Sequence, residues 1–376
     1  MDGGGDRFDV VVVGAGPAGA AAALAARRAG AGVLLLDKAT FPRDKPCGDG
    51  IAPHALDVVR ELGVSGVEEG YAPVPALRLV GPGGRAVARA HARVVYTIPR
   101  MVFDRRLVEA AVRAGAVLRR HAVRRVEDRG GYVVVDGEIR AGAVVGADGA
   151  YSLVRRALGE PPNGPGHLAL AIRGYAEAPE IAAEQRIVTT AAGWPAYAWA
   201  FPIGDGRANI GYGEVLRGRP LTREHLLDRL AALLPDLDTA AAAGLRAHHL
   251  PLSTRRPVAG RGRLLLAGDA MSLINPFTGE GIFYAVLSGA LAGAAALDPG
   301  APARRYRAAL RRRLGAHLRH SRAAAALSSQ RWIVDAAVRA ADRDQRVFDA
   351  LIELGLGDGR LTPRTLASVA AATLNR

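Results

Sequence analysis

Phe8-Asp9-Val10-Val11-Val12-Val13-Gly14-Ala15-Gly16-Pro17-Ala18-Gly19 decides the fold of this chain. The Val-rich run before Gly14 reads as a strand buried on both faces. The G-x-G-x-x-G that ends it leads into an Ala-rich stretch, Ala20 to Arg28, of helical composition, and Gly30 to Gly32 stops that helix. Val33 to Leu36 reads as a second buried strand, ending at Asp37 and Lys38. In such a unit the glycines permit a tight turn, close approach of a pyrophosphate and close helix packing, while the helix N-terminus supplies N–H groups and positive potential. Asp37 lies about 20 residues beyond Gly14, the spacing at which a carboxylate meets an adenosine ribose. Gly14, Gly16, Pro17, Ala18, Gly19, Asp37 and Lys38 are therefore the expected dinucleotide contacts.

A plain nicotinamide enzyme would need only this unit and a catalytic domain. Here Ala143 to Arg155 adds a strand and turn, Gly146-Ala147-Asp148-Gly149, leading into a helix. Leu264 to Ala267 adds another buried strand, ending on Gly268-Asp269, where a carboxylate can accept hydrogen bonds from a ribityl hydroxyl. The loop Pro276-Phe277-Thr278-Gly279-Glu280-Gly281 then opens a long apolar helix, whose N–H groups are expected to face a flavin ring. One cofactor, FAD, needs all three places. In this order they resemble the FAD-dependent oxidoreductases of the para-hydroxybenzoate hydroxylase structural type. The resemblance implies Asp148 and Gly149 near the pyrophosphate and Asp269, beside Gly268, on the ribityl chain. It also implies that Arg100, in Thr97 to Leu107, contacts the cofactor, and that Pro276, Gly279 and Gly281 border it.

Phe41-Pro42-Arg43-Asp44-Lys45-Pro46-Cys47-Gly48-Asp49-Gly50 holds the only cysteine. A single Cys excludes a Cys-ligated iron–sulfur cluster and an internal disulfide. The bland reading is a small buried hydrophobe, but no apolar periodicity asks for one in a Pro/Gly loop. In Ala196-Tyr197-Ala198-Trp199-Ala200-Phe201-Pro202 the aromatics alternate, so on a strand they share one face. Together these two segments resemble the geranylgeranyl reductase family, which saturates isoprenoid double bonds. The resemblance implies that Cys47 and Gly48 lie close to the flavin and that Tyr197, Trp199 and Phe201 line a lipid tunnel. Cys47 is then the candidate proton source, directly or through water, in hydride transfer from reduced FAD to a prenyl or polyene double bond. The alternative is an FAD-dependent monooxygenase or halogenase acting on an aromatic or natural-product substrate. Halogenases carry Trp-x-Trp-x-Ile-Pro where this chain has Tyr-x-Trp-x-Phe-Pro.

The expected fold is α/β: a Rossmann-like FAD-binding domain over 1–70, 98–158 and 258–300, an inserted antiparallel-sheet substrate domain over 71–97 and 159–257, and a C-terminal helical region over 301–376. In the last, Tyr306, Leu310, Leu314 and Leu318 form one stripe. No second G-x-G-x-x-G unit is present, so the electron donor is expected to be NAD(P)H docking transiently or a reduced carrier, including an electron-donor protein. The net charge of +14 is carried almost wholly by arginine, Lys38 and Lys45 being the only lysines. The bland reading is a solvated face. The sharper one is attraction of Arg304, Arg305, Arg307, Arg311, Arg312 and Arg313 to anionic lipid. No aromatic-interleaved basic motif points to nucleic acid. No leader-like run opens the sequence, and Gly281 to Leu297 is short for a membrane span. A cytoplasmic enzyme, with peripheral membrane contact as the sharper option, a hydrophobic or lipid substrate and no metal is the resulting expectation.

Overall fold

The computed structural model describes residues 6–181, 184–192, 195–218 and 220–374. The extreme ends of the expected segments 1–70 and 301–376, at 1–5 and 375–376, lie outside the described residues. The first sheet is built as its valine and leucine runs dictate. Arg7–Val13 sits at its centre, parallel to Val33–Asp37 on one side and Ile139–Gly146 on the other. Val117–Arg120 and Leu264–Leu266 extend it, again in parallel. The C-terminal ends of Arg7–Val13, Ile139–Gly146 and Leu264–Leu266 therefore open along one edge, where such sheets bind ligands.

Helix Pro17–Arg28 packs on this sheet and against helix Ile282–Ala296 through small residues. A Cβ on Gly289 would stand 2.0 Å from the Ala18 carbonyl oxygen, and one on Gly293 would stand 2.1 Å from that of Ala22. Only glycine lets the two backbones meet, and that contact fixes the late helix against the first turn.

The second sheet runs in the order Ala243–Pro251, Leu168–Glu177, Arg207–Val215, Ala196–Pro202, Glu184–Thr189, Pro73–Val80, Ala86–Thr97, Gly50–Ile51. Strands from 73–97 and from 168–251 thus share one sheet. All its pairings are antiparallel except Glu184–Thr189 with Pro73–Val80. Helix Arg223–Leu233 covers one face, burying Leu226 and Leu230 with Ile172, Ala198, Ala200, Ile210 and Tyr212.

Helices Pro302–Leu327, Arg331–Arg343, Gln345–Leu356 and Pro363–Leu374 follow. The stripe Tyr306, Leu310, Leu314 and Leu318 is buried against the first sheet's core. Val338, Ala341 and Phe348 pack instead on Leu77 and Val87 of the second sheet. Among the described residues no helix is long and apolar enough to cross a membrane.

Candidate active site

One cavity of about 1150 Å³ lies between the sheets and the C-terminal helices. Small-molecule sites usually occupy about 300–1000 Å³, so it has room for more than one ligand group. Gly14, Gly16, Pro17, Ala18, Asp37, Lys38, Cys47, Gly48, Arg100, Asp148, Gly149, Asp269, Pro276, Gly279 and Gly281 all line it, as do Tyr197, Trp199 and Phe201. Gly19 and Gly268 stand behind the wall. A Cβ on Gly19 would strike the Gly14 carbonyl at 1.8 Å, and Gly268 packs on Ala18. Both allow backbone and small side chains to pack closely behind the Gly14 turn.

The residues present fit FAD. Gly14 adopts φ +97°, and a Cβ there would lie 2.4 Å from the Ala147 oxygen. Helix Pro17–Arg28 begins at the cavity with no side-chain cap and no acidic residue in its first turn, leaving its N–H groups for an anion. Asp37 braces this turn, accepting hydrogen bonds from Ala15 N–H and Ala39 N–H, each at 2.8 Å.

Three expected contacts are engaged differently from the sequence reading. Asp148 borders the cavity but turns its carboxylate onto the short helix Leu153–Ala157, accepting from Ser152 Oγ–H at 2.5 Å and Leu153 N–H at 2.6 Å. Arg100 is buried in a bidentate pair with Asp104, at 2.6 and 2.7 Å. Burial alone would lower its basicity, but Asp104 overrides that and keeps the guanidinium charged. The helix Ile282–Ala296 was expected to aim its N–H groups at the ring. Instead Glu280 accepts Phe283 N–H at 2.8 Å, placing a carboxylate on that N-terminus. Burial pushes Glu280 up to about 7 against these hydrogen bonds.

Asp269 pairs with Lys45 Nζ at 2.9 Å. Burial would raise its carboxyl, yet Lys45, His248 and Arg100 together hold it below the usual range. Lys45 was not foreseen as a contact, though a signal existed. In a chain so rich in arginine the only two lysines both line this cavity. Arg173, 1 % exposed, braces the same loop through Asp44 and the Lys45 carbonyl.

The aromatic strand behaves as its alternation predicts. Ala196, Ala198 and Ala200 enter the core under helix Arg223–Leu233, while Tyr197, Trp199 and Phe201 face the cavity. Glycines make room for the rings. A Cβ on Gly211 would lie 2.1 Å from Trp199 Cζ2, and one on Gly48 would lie 3.2 Å from Trp199 Nε1. Tyr197 donates to the Thr278 carbonyl and pins the Pro276–Gly281 loop from the second sheet.

Cys47 also borders the cavity, and its neighbour Gly48 packs against Trp199 and Phe201. Burial pushes its thiol up, Arg100 pulls it down, and Asp49 raises it again. Asp49, two residues on, carries no motif signal of its own. It is fully buried, and burial lifts its carboxyl to about 6 against hydrogen bonds from Tyr175 and Asn209. Apolar side chains complete the lining: Leu79 and Ile187 from the second sheet, and Val338, Leu351, Ile352 and Leu366 from the C-terminal helices. No sequence signal tied these distant helices to the cavity.

Comparison with known proteins agrees with this geometry. Residues 7–290 match the family model described as FAD binding domain. Menaquinone reductase of Mycobacterium tuberculosis is 34 % identical over 310 residues, covering 76 % of each chain. Digeranylgeranylglycerophospholipid reductase 2 of Methanopyrus kandleri is 34 % identical, covering 78 % of this chain and 77 % of that one. A solved geranylgeranyl bacteriochlorophyll reductase-like protein of Thermoplasma acidophilum shares the fold, with a TM-score of 0.80, 20 % identity and coverage of 97 % and 96 %. A flavin-dependent brominase shares it at a TM-score of 0.68 and 17 % identity. With the dinucleotide turn, the cysteine loop and the aromatic strand on one cavity, the chain belongs to the geranylgeranyl reductase family of FAD-dependent oxidoreductases.

Proposed function

We propose that this protein reduces carbon–carbon double bonds of a prenyl or other polyene substrate. The observation that carries the reading is a single cavity bordered at once by the Gly14 turn, Cys47, the Tyr197–Phe201 ridge and apolar C-terminal helices. Menaquinone and digeranylgeranylglycerophospholipid, named in the relatives, are both isoprenoid-bearing substrates, which supports the same class here. In this reading 1–70, 98–158 and 258–300 hold the cofactor, 71–97 and 159–257 hold the substrate, and 301–376 closes over its chain. FAD, when bound and reduced, supplies a hydride.

The protein's own residues do the rest. The Gly14–Gly19 turn, Asp37, Lys38, Arg100, Gly149 and Asp269 orient the cofactor, and the apolar wall excludes water. Cys47 holds a proton at Sγ, kept there by burial, ready for the alkene carbon that does not receive hydride. Positive charge developing on that carbon is stabilised by the aromatic faces of Tyr197, Trp199 and Phe201, by about 0.5–2 kcal/mol per ring. A thiol is a weak acid for an alkene, so proton and hydride transfer are concerted.

NAD(P)H or a reduced carrier protein serves as donor. The arginine face is only in part free for lipid: Arg305 pairs with Asp298, Arg307 donates to the Gly260 carbonyl and Arg313 pairs with Asp358. Exposed Leu327 and Leu366, both bordering the cavity, with exposed Trp332 nearby in sequence, are the better membrane contacts for a peripheral cytoplasmic enzyme.

The test is anaerobic. The flavin-loaded protein is reduced chemically, then challenged with prenyl lipids, quinones and polyenes, and products are weighed. Gain of two hydrogens per double bond is expected, abolished in Cys47→Ala with flavin content retained. An oxygen requirement with an oxygenated product would overturn the reading in favour of a monooxygenase.

A further inference from the structure

The Cys47 loop and the aromatic strand are far apart in sequence, yet a single buried polar unit joins them. Asn209, 0 % exposed, uses its whole amide. Its Oδ1 accepts Trp199 Nε1–H at 2.9 Å. Its Nδ2 donates to the Cys47 carbonyl at 2.8 Å and to Asp49 Oδ2 at 2.7 Å. Asp49 in turn accepts Tyr175 O–H at 2.6 Å and, on Oδ1, Arg100 N–H at 3.2 Å. Its φ of +62° lies in the left-handed region, which Asp tolerates better than most residues, and the flanking Gly48 and Gly50 crowd neither neighbour. In that backbone conformation the carboxyl is fully buried against Asn209, Tyr175 and the Arg100 N–H.

We propose that Asp49 and Asn209 are positioning residues that lock the Cys47 loop to the indole of Trp199 and set the charge felt by the sulfur. This deepens the reductase reading and rests on it only for its purpose. No other side chain of this size supplies what Asn209 does: one acceptor for an indole and two donors for a carbonyl and a carboxylate. Asp lacks the donors and Leu lacks both. The titratable groups facing Asp49 are Cys47 on its own loop, Tyr71, the strand residues Tyr175 and Arg173, and Arg100 at the start of its helix, and Glu280 also faces the sulfur. As an anion Asp49 opposes thiolate formation at Cys47, whereas Arg100 favours it. Burial remains the largest influence holding the proton on sulfur, but removing the Asp49 charge takes away one that acts with it and so moves the thiol toward thiolate.

Because Cys47 is the sole cysteine, alkylation of the full flavin-loaded chain by iodoacetamide reports one sulfur. Its rate is followed across the thiol titration range of about pH 6 to 10. Asp49→Asn is expected to shift the midpoint downward and raise the rate at neutral pH several-fold. Asn209→Leu is expected to raise the rate at every pH by releasing the loop. Trp199→Phe, the mildest change, is expected to raise it less. An unmoved midpoint in Asp49→Asn with flavin retained overturns the electrostatic part. If that variant does not fold, an unchanged rate in folded Trp199→Phe overturns the lock. Alkylation needs no alkene. Normal alkylation changes in a protein that reduces no polyene would sink the reductase reading alone, and normal reduction with unchanged alkylation would sink the bridge alone.

Discussion

The two ends of the cavity are built in opposite ways. At the dinucleotide end, Gly14, Gly16, Asp37 and the N-terminus of helix Pro17–Arg28 come from one contiguous strand–turn–helix–strand. At the Cys47 end, the loop of Cys47 and Asp49 meets Arg100, Tyr175, Trp199, Asn209 and Thr278 from several other strands, loops and helices. The first end is specified by backbone approach and fails by steric exclusion. The second is specified by side-chain hydrogen bonds among buried polar groups and fails by losing a partner. Damage at the first should remove the cofactor, whereas damage at the second should leave a flavoprotein with misplaced chemistry.

The largest effect is expected where backbone meets backbone. Gly289→Val places a Cβ 2.0 Å from the Ala18 carbonyl, a clash no rotamer relieves. We expect more than about 3 kcal/mol of destabilisation and no flavin absorbance in the purified protein. A stable, yellow Gly289→Val would contradict the assigned role of the helix contact. Gly211→Ala comes next. Its Cβ would fall 2.1 Å from Trp199 Cζ2 and 2.6 Å from the Ile172 carbonyl oxygen, so the indole and the strand pair must both shift, at about 1–3 kcal/mol. Flavin should be retained and polyene reduction lost, and a flavin-free product would erase the distinction between the two ends.

Trp199→Phe is smaller still. It strips the donor from Asn209 Oδ1, leaving a buried acceptor unsatisfied at a cost of about 1 kcal/mol or a little more. The thermal midpoint should fall by about 1–2 °C with flavin content unchanged. An unaltered melting point would mean that the amide finds another partner.

Two carboxyls sharpen the comparison through pH. Asp269 is held below its ordinary value, so its contribution to stability is present above the unfolded value and is lost as pH falls through the folded one. Asp49 is raised from 3.8 to about 6, so the opposite holds. Its contribution is full below the unfolded value and declines as pH rises through about 6. Between about pH 4 and 6, wild type should therefore lose stability relative to Asp49→Asn by a modest amount, whatever the absolute offset between them. Lys45→Met, which removes the partner of Asp269, should instead weaken the protein most toward neutral pH. Thermal melts across that window decide, and parallel curves for wild type and Asp49→Asn would remove Asp49 from the balance.

Much of the dinucleotide end was legible in the sequence because its determinants are local. Glycine spacing, a valine run and an acid at the next strand's end each constrain the backbone within a few residues of themselves. The aromatic face was legible for a similar reason, since a strand's period of two separates Tyr197, Trp199 and Phe201 from the alanines between them. The pairing of Arg100 with Asp104, the capping use of Asp148 and the occupation of a helix N-terminus by Glu280 were not legible. Each depends on which way a side chain turns once its neighbours are fixed. Lys45 stood out only as one of two lysines, and Asp49 only as an acid between two glycines.

By itself, then, the sequence determined the dinucleotide unit, the cofactor it takes, the single thiol and the side of the strand on which the aromatics lie. Only the tertiary structure decided that Asn209 and Asp49 bind that thiol's loop to the indole, that Lys45 meets Asp269, and that helices after residue 330 line the same cavity. Local backbone geometry follows from neighbours along the chain. The partners of buried polar groups follow from which distant segments the packed sheets bring together, and no periodicity records them.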